Sequence, residues 1–299
     1  MRIYALVIYL FLYLPIGLIV FYSFNAGRYA MDWQGFSTEW YAKAFANRFA
    51  MQALGTSVEV ALWTAVLATI IGTLAALGLE RMHGTLRKIF DGLIYIALMV
   101  PGVVIGIATL IAFVTVFDIL NPALTKLLGE AAPQLAMGVT TIVAAHVLFN
   151  IAVVILIVRS RLAGMDRALI EASEDLYATP FATFRQVTLP LLMPAIVAGF
   201  LLAFTFSFED FIIAFFVAGP NNTLPIYVFA SIRRGITPEI NAIGTVVLTV
   251  SLSLLLIAQL ILRRSEANRT NQGRNLRLSA YSSSTASRPF RLARFVSTA

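Results

Sequence analysis

An all-α integral membrane protein with six transmembrane helices is predicted by three observations. Hydrophobic residues make up 59% of the 299 residues and charged residues 12%, whereas a soluble domain carries about 45–50% and about 25%. Six stretches are long and apolar enough to cross a bilayer, which takes about 20 residues each. Lys and Arg are distributed unevenly between alternate loops, as they are in multi-pass proteins. With a mean hydropathy of +0.84, the chain has too little polar surface for a soluble enzyme, a disordered chain or a nucleic-acid-binding domain. Cys is absent, which excludes disulfides, thiolate metal sites and a Cys nucleophile. His83 and His146 are the only histidines, too few for a His-rich metal site.

The spans are predicted at 4–24, 57–79, 90–117, 137–158, 191–218 and 240–262. The first is longer than the h-region of a signal peptide and is followed by no A-x-A-like site, so it reads as a retained span. The third and fifth exceed one crossing, and Pro101 and Pro194 predict a kink or an interfacial entry in each. Gly102, Gly106 and Gly138 suit close helix approach in a bilayer. The N-terminus, loops 80–89 and 159–190 and the C-terminus carry 16 basic residues, and loops 25–56, 118–136 and 219–239 carry 6. This places both termini in the cytoplasm.

Net charge is +7, but residues 1–262 balance at 14 basic and 14 acidic, so the excess belongs to the tail. Residues 265–299 are rich in Ser, Arg, Asn and Thr and read as a disordered cytoplasmic tail, with attraction of its Arg to anionic lipid as the alternative.

Loop 159–190 is long, cytoplasmic and only partly polar. Asp166 can N-cap a short helix with Leu169, Ala172, Leu176 and Ile170 on one face. Thr179 can N-cap a second, with Pro180 at its first position. Phe181, Phe184 and Val187 recur on one face, and Pro190 is expected to end the helix before the next span. Such a helix pair either packs back on its own bundle or offers its apolar face to a partner.

The run Glu171-Ala172-Ser173, then Leu176-Tyr177, Phe184, Val187, Leu189-Pro190 and Pro194 resembles the EAA loop of ABC importer permeases. Ser173 stands where that pattern has a second Ala, and Tyr177 where it has Gly. A Gly there allows φ > 0 at little cost, so Tyr177 is either strained or the turn is built differently. Tyr22-Ser23-Phe24-Asn25, Trp33 to Tyr41, Ser207-Phe208-Glu209-Asp210, Gly219-Pro220, Leu224-Pro225 and Ile236 to Ala242 are similar to the C-type permeases of spermidine/putrescine importers. The likeness covers residues 1–264.

The resemblance implies a bacterial inner-membrane permease that pairs with a second, homologous permease. It implies two ATP-binding subunits docked under the EAA loops and a periplasmic binding protein that delivers the substrate. It assigns ATPase coupling to Glu171, Ala172, Ser173, Leu176, Tyr177, Phe181, Leu189 and Pro190. ATP belongs to the partner: no G-x-x-x-x-G-K-[ST] run occurs in this chain, so it is expected to be a non-catalytic subunit with no cofactor of its own. Related permeases import iron(III), thiamine, opines or phosphonates, which leaves the substrate open at this stage. A self-contained channel or secondary transporter would have no use for an ATPase dock.

Carboxylates inside a bilayer are costly unless they face water or a partner. Glu209 and Asp210 interrupt the fifth apolar stretch. They are either an anionic site on the route of a cationic substrate or a pair at the interface. Phe208 beside them can supply cation–π contacts, and Glu59 can line the entry. Asp91 reads as structural, capping or pairing with Lys88. His146 reads as a hydrogen-bonding partner of a neighbouring helix rather than a proton relay. Ser23, Asn25 and Trp33 either touch the binding protein or hold their own loop.

Overall fold

In the computed structural model, residues 2–29, 32–166, 168–235 and 237–253 are described. The predicted tail and the last nine residues of the predicted sixth span lie outside them. Eleven helices run in the order α1 Arg2–Tyr22, α2 Glu39–Ala46, α3 Arg48–Arg81, α4 Gly84–Met99, α5 Gly102–Leu128, α6 Val139–Ala163, α7 Ala168–Asp175, α8 Pro180–Thr183, α9 Leu189–Glu209, α10 Ile212–Val217 and α11 Leu224–Arg234. A π-helical turn, Phe184–Thr188, joins α8 to α9. Residues 238–253 are helical up to the edge of the described region. Among the described residues, five helical segments are long and apolar enough to span a membrane: Tyr4–Tyr22, Arg48–Arg81, Gly102–Leu128, Val139–Ala163 and Pro180–Glu209.

Helices α3, α6 and α9 pack on one another and form the centre. Their contact faces are small. Ala65, Ala68 and Ala76 of α3 and Ala203 of α9 are buried against Val154, Ile155 and Val158 of α6. Bilayers supply no hydrophobic force between helices, so close backbone approach and dispersion must do that work. Val154 is the knob at the centre of the trio. A Cβ on Gly72 would lie 2.8 Å from the Val154 Cβ, and one on Gly199 would lie 3.4 Å from its Cγ1. Of the three glycines singled out by the sequence, Gly106 has the closest neighbour, with the Phe216 ring 2.6 Å from a built Cβ. A Cβ built on Gly138 would lie 3.2 Å from Asn221 Nδ2, and one on Gly102 would make only ordinary contact with Ile212.

Four predicted boundaries are corrected. The second span starts at Arg48, nine residues early, because Asn47 N-caps it by accepting from the Phe49 and Ala50 amides. The third stretch is two helices rather than one, broken at Val100-Pro101, where both residues are extended. The fifth stretch ends at Glu209, and a separate short helix, α10, follows. Pro190 does not end a helix. The chain runs helically from Pro180 to Glu209, and the π turn just before Pro190 widens the backbone where a proline ring would meet the carbonyl of the preceding turn. Pro194 sits inside α9 without breaking it.

Asn47 also binds at long range. Its Nδ2 donates to the Tyr227 hydroxyl at 2.9 Å and to Glu239 Oε1 at 2.6 Å. It thus fastens the start of α3 to α11 and to the helix at 238–253. Asn47→Ala removes the cap, worth about 1 kcal/mol, and strands the half-buried Glu239. We expect a loss of about 2 kcal/mol, read as a lower thermal unfolding midpoint of the purified permease. Asn47→Asp retains the cap but sets a carboxylate against Glu239, so it recovers only part of that loss.

The loop after α1 is self-supporting. Asn25 donates to the Tyr29 and Asp32 carbonyls and accepts from the Gly27 and Gln34 amides. Ser23 bonds the Tyr41 hydroxyl, and Trp33 stacks on Phe21. These three residues hold their own loop.

Candidate functional site: a coupling hairpin and an acidic helix break

The two helices predicted in loop 159–190 are present with their predicted caps. Asp166 Oδ1 accepts from the Ala168 amide at 3.0 Å. Thr179 Oγ1 accepts from the Ala182 amide, with Pro180 in the first turn. Both caps depend on residues within three positions, which is why the sequence carries them.

The turn between the helices is a Schellman motif. The Ala178 amide donates to the Ser173 carbonyl and the Tyr177 amide to the Glu174 carbonyl, which places Tyr177 at the left-handed position past the helix end. Its φ is +58°, and it is the one non-glycine at positive φ among the described residues. The turn is therefore the ordinary one, and Tyr177 is strained in it by about 1 kcal/mol. Ser173 Oγ lies 3.0 Å from Thr183 Oγ1, a side-chain bond that ties α7 to α8 and that Ala could not make.

The outward face of the hairpin is apolar with an acidic rim. Leu169, Ala172, Leu176, Tyr177 and Phe181 are exposed, Leu176 at 82%, Tyr177 at 97% and Phe181 at 71%. Glu171, Glu174 and Asp175 are exposed beside them. Ile170 and Ser173 turn inward, so Ile170 leaves the face expected for it. The second helix also divides differently from expectation. Phe181 points outward while Phe184 and Val187 are half-buried, because the π turn shifts their phase. Leu189 is half-buried and Pro190 exposed at the start of α9.

The base of the hairpin is anchored by two arginines at the end of α6. Arg159 pairs with Asp91 of α4, which Arg87 also approaches at 3.9 Å. Asp91 is thus paired, but with Arg159 and Arg87 rather than Lys88. Arg161 Nε donates to the Leu191 carbonyl at 3.1 Å, linking α6 to the start of α9.

At the other end of α9 the two carboxylates separate. Glu209 ends the helix and is exposed, while Asp210 turns inward at 22% exposure. Asp210 Oδ2 accepts from the Ala214 amide at 3.0 Å and so caps α10. The same oxygen lies 3.2 Å from His146 Nε2, at ion-pair distance but without hydrogen-bond alignment. His146 is 1% exposed, and its Nδ1 lies 2.8 Å from Ser207 Oγ of α9. Phe208 packs against the cluster of Ala44, Ala50, Leu224 and Ile243 and stacks on Phe204. Glu59 is exposed on α3.

Sequence reasoning missed Thr183, Arg161 and the pairing of His146 with Asp210. The last had a signal: a His and an Asp in neighbouring apolar spans each need a polar partner.

Residues 68–270 match the family described as the binding-protein-dependent transport system inner membrane component. The chain belongs to this family. It is 41% identical over 262 residues to the putrescine transport system permease protein PotI of Escherichia coli K12, covering 87% of this chain and 89% of that one. It is 35% identical over 263 residues to the spermidine/putrescine transport system permease protein PotC of Haemophilus influenzae, covering 88% and 96%. Among solved structures, a bacterial ABC transporter involved in alginate import has a similar fold, with a TM-score of 0.68 at 16% identity over 88% of this chain and 95% of that one. The chain is a multi-pass inner-membrane permease subunit of an ABC importer.

Proposed function

We propose that this permease translocates polyamines, linear cations such as putrescine and spermidine, delivered by a periplasmic binding protein. The observation that carries the proposal is the 35–41% identity to permeases of spermidine/putrescine and putrescine systems over nearly their full length. The acidic break at Glu209 and Asp210 supports it, because an ammonium leaving water needs anionic partners. On this reading Glu209, Asp210, Phe208 and Glu59 line the route. Both termini are cytoplasmic, and residues 1–264 are the translocating domain. A second, homologous permease completes the pore, and membrane lipid covers the outer helices.

The hairpin docks one of two ATP-binding subunits through Glu171, Ala172, Leu176, Tyr177 and Phe181. Ser173 holds its two helices together, and Leu189-Pro190 join it to α9. A push on the hairpin is carried along one helical rod from Pro180 to Glu209, 30 residues long and about 45 Å at 1.5 Å per residue. Closure of the ATP-binding subunits, which hydrolyse the ATP, thereby moves the acidic break.

The test is uptake of labelled putrescine and spermidine by cells with and without the gene, in a strain with no other polyamine importer. We expect uptake to vanish on deletion and to return with the wild-type gene but not with Leu176→Asp. Unchanged uptake on deletion would move the substrate to another class. Full rescue by Leu176→Asp would remove the docking role.

A further inference from the structure

Tyr177 is the least economical residue in the hairpin for the folded chain alone. It occupies the left-handed position where Gly is free of strain. It is 97% exposed, so its ring makes almost no contact with the other described residues. Its two backbone bonds, to Glu174 and from Ala178 to Ser173, would form equally well with Gly. Strain without intramolecular return points to a contact made outside the chain. Tyr also has the properties of an interface anchor: a large apolar body, few rotamers and a hydroxyl for one polar partner.

The surroundings define what receives it. Leu176 and Phe181 flank the ring as exposed apolar residues, and the surface is continuous with the docking face proposed above. Glu171, Glu174 and Asp175 are exposed around it. We propose that Tyr177 is an anchor for the ATP-binding subunit, its ring seated in an apolar pocket rimmed by Lys or Arg, and that it sets which ATP-binding subunit this permease accepts. A permease with Gly at this corner presents no ring, so a subunit shaped for a bare turn has no pocket for Tyr177 and is excluded by collision. The inference rests on the docking role of the hairpin.

The acidic rim and the ring act on different observables. Rim charges steer encounter and fade with salt, whereas a buried anchor governs the rate of dissociation. The two are therefore separable in one experiment. Purified permease pairs in lipid nanodiscs are titrated with their own ATP-binding subunit at low and high salt, for wild type, Tyr177→Ala, Tyr177→Gly, Tyr177→Phe and Leu176→Asp. Tyr177→Gly relieves the strain, so its thermal unfolding midpoint is no lower than wild type, and any loss of binding in it is not a folding defect.

We expect Tyr177→Ala and Tyr177→Gly to weaken binding tenfold or more through faster dissociation, by the same factor at both salt concentrations. Tyr177→Phe should stay within about threefold of wild type. Binding within twofold of wild type for both Tyr177→Ala and Tyr177→Gly, with loss of binding in Leu176→Asp, would overturn the anchor and leave the docking face. Retention of the subunit by Leu176→Asp would overturn the docking face and the anchor with it.

Discussion

Gly72→Leu is expected to yield no folded permease, and Gly72→Ala to lower the thermal unfolding midpoint sharply. Even the single methyl of Ala would sit 2.8 Å from the Val154 Cβ and Cγ1 and 3.2 Å from the Ile151 carbonyl oxygen. Two of those atoms belong to Val154, which also faces Gly199 of α9, where a built Cβ would lie 3.4 Å from its Cγ1, so Val154 is packed between two helices. Overpacking of this kind costs about 1–3 kcal/mol for one methyl. A Leu side chain would force α3 and α6 apart along the contact that holds the bundle together. Two comparisons separate collision from loss of glycine flexibility. Gly78→Ala, on the same helix with nothing within 4 Å, should leave the midpoint unchanged or raise it, since Ala is the better helix former by about 1 kcal/mol. Val154→Ala combined with Gly72→Ala should recover part of the loss, because the clashing Cγ1 is gone and the smaller side chain lets the helices adjust around the remaining Cβ. Equal midpoints for Gly72→Ala and wild type would mean that the central trio is looser than the geometry of Val154 requires.

The same contrast between local and long-range causes decides how much was legible in the sequence. The spans were readable because a run such as Leu6 to Val20 is apolar whatever it packs against. The caps at Asp166 and Thr179 were readable because each bonds an amide two or three residues ahead. Hydropathy does not mark the start of α3, because Arg48, Gln52 and Glu59 dilute it over the first turns. Nothing local marks the π turn at Phe184–Thr188. It lies between Thr183, bonded to Ser173, and Pro190. The break after Glu209 was hidden for a related reason. Phe208, Phe211 and Ile212 are apolar on both sides of it, and the cause is a bond from Asp210 to a helix that starts two residues later. For the hairpin, spacing placed Leu169, Ala172 and Leu176 on one face, and that face is exposed because no element among the described residues covers it. Tyr177 shows the limit: its departure from Gly was visible, but whether the turn or the residue had given way needed its φ.

Asp210→Asn is expected to lower putrescine uptake at least tenfold while leaving the complex assembled. Asn retains an oxygen to accept from the Ala214 amide, so the cap on α10 survives. What is lost is the charge, which faces His146 at 3.2 Å. If Asp210 takes the place of water around an ammonium, a neutral amide offers a much weaker partner, since hydrogen bonds to a charged group run at about twice the strength of neutral ones. Asp210→Ala removes the cap as well and leaves the Ala214 amide without that acceptor in a low-dielectric setting, at a cost of about 1–3 kcal/mol. Its yield and unfolding midpoint should therefore fall along with its uptake. The pair of variants divides the two roles of one carboxylate: uptake tracks the charge in both, and stability tracks the oxygen in Ala alone. Glu209→Gln gives the third reading. Glu209 is exposed and makes no cap, so its neutralisation should reduce uptake without any change in midpoint. Wild-type uptake in Asp210→Asn would make Asp210 a capping residue only and leave Glu209 as the sole anionic group at the break. Wild-type uptake in both would take the break off the substrate route altogether.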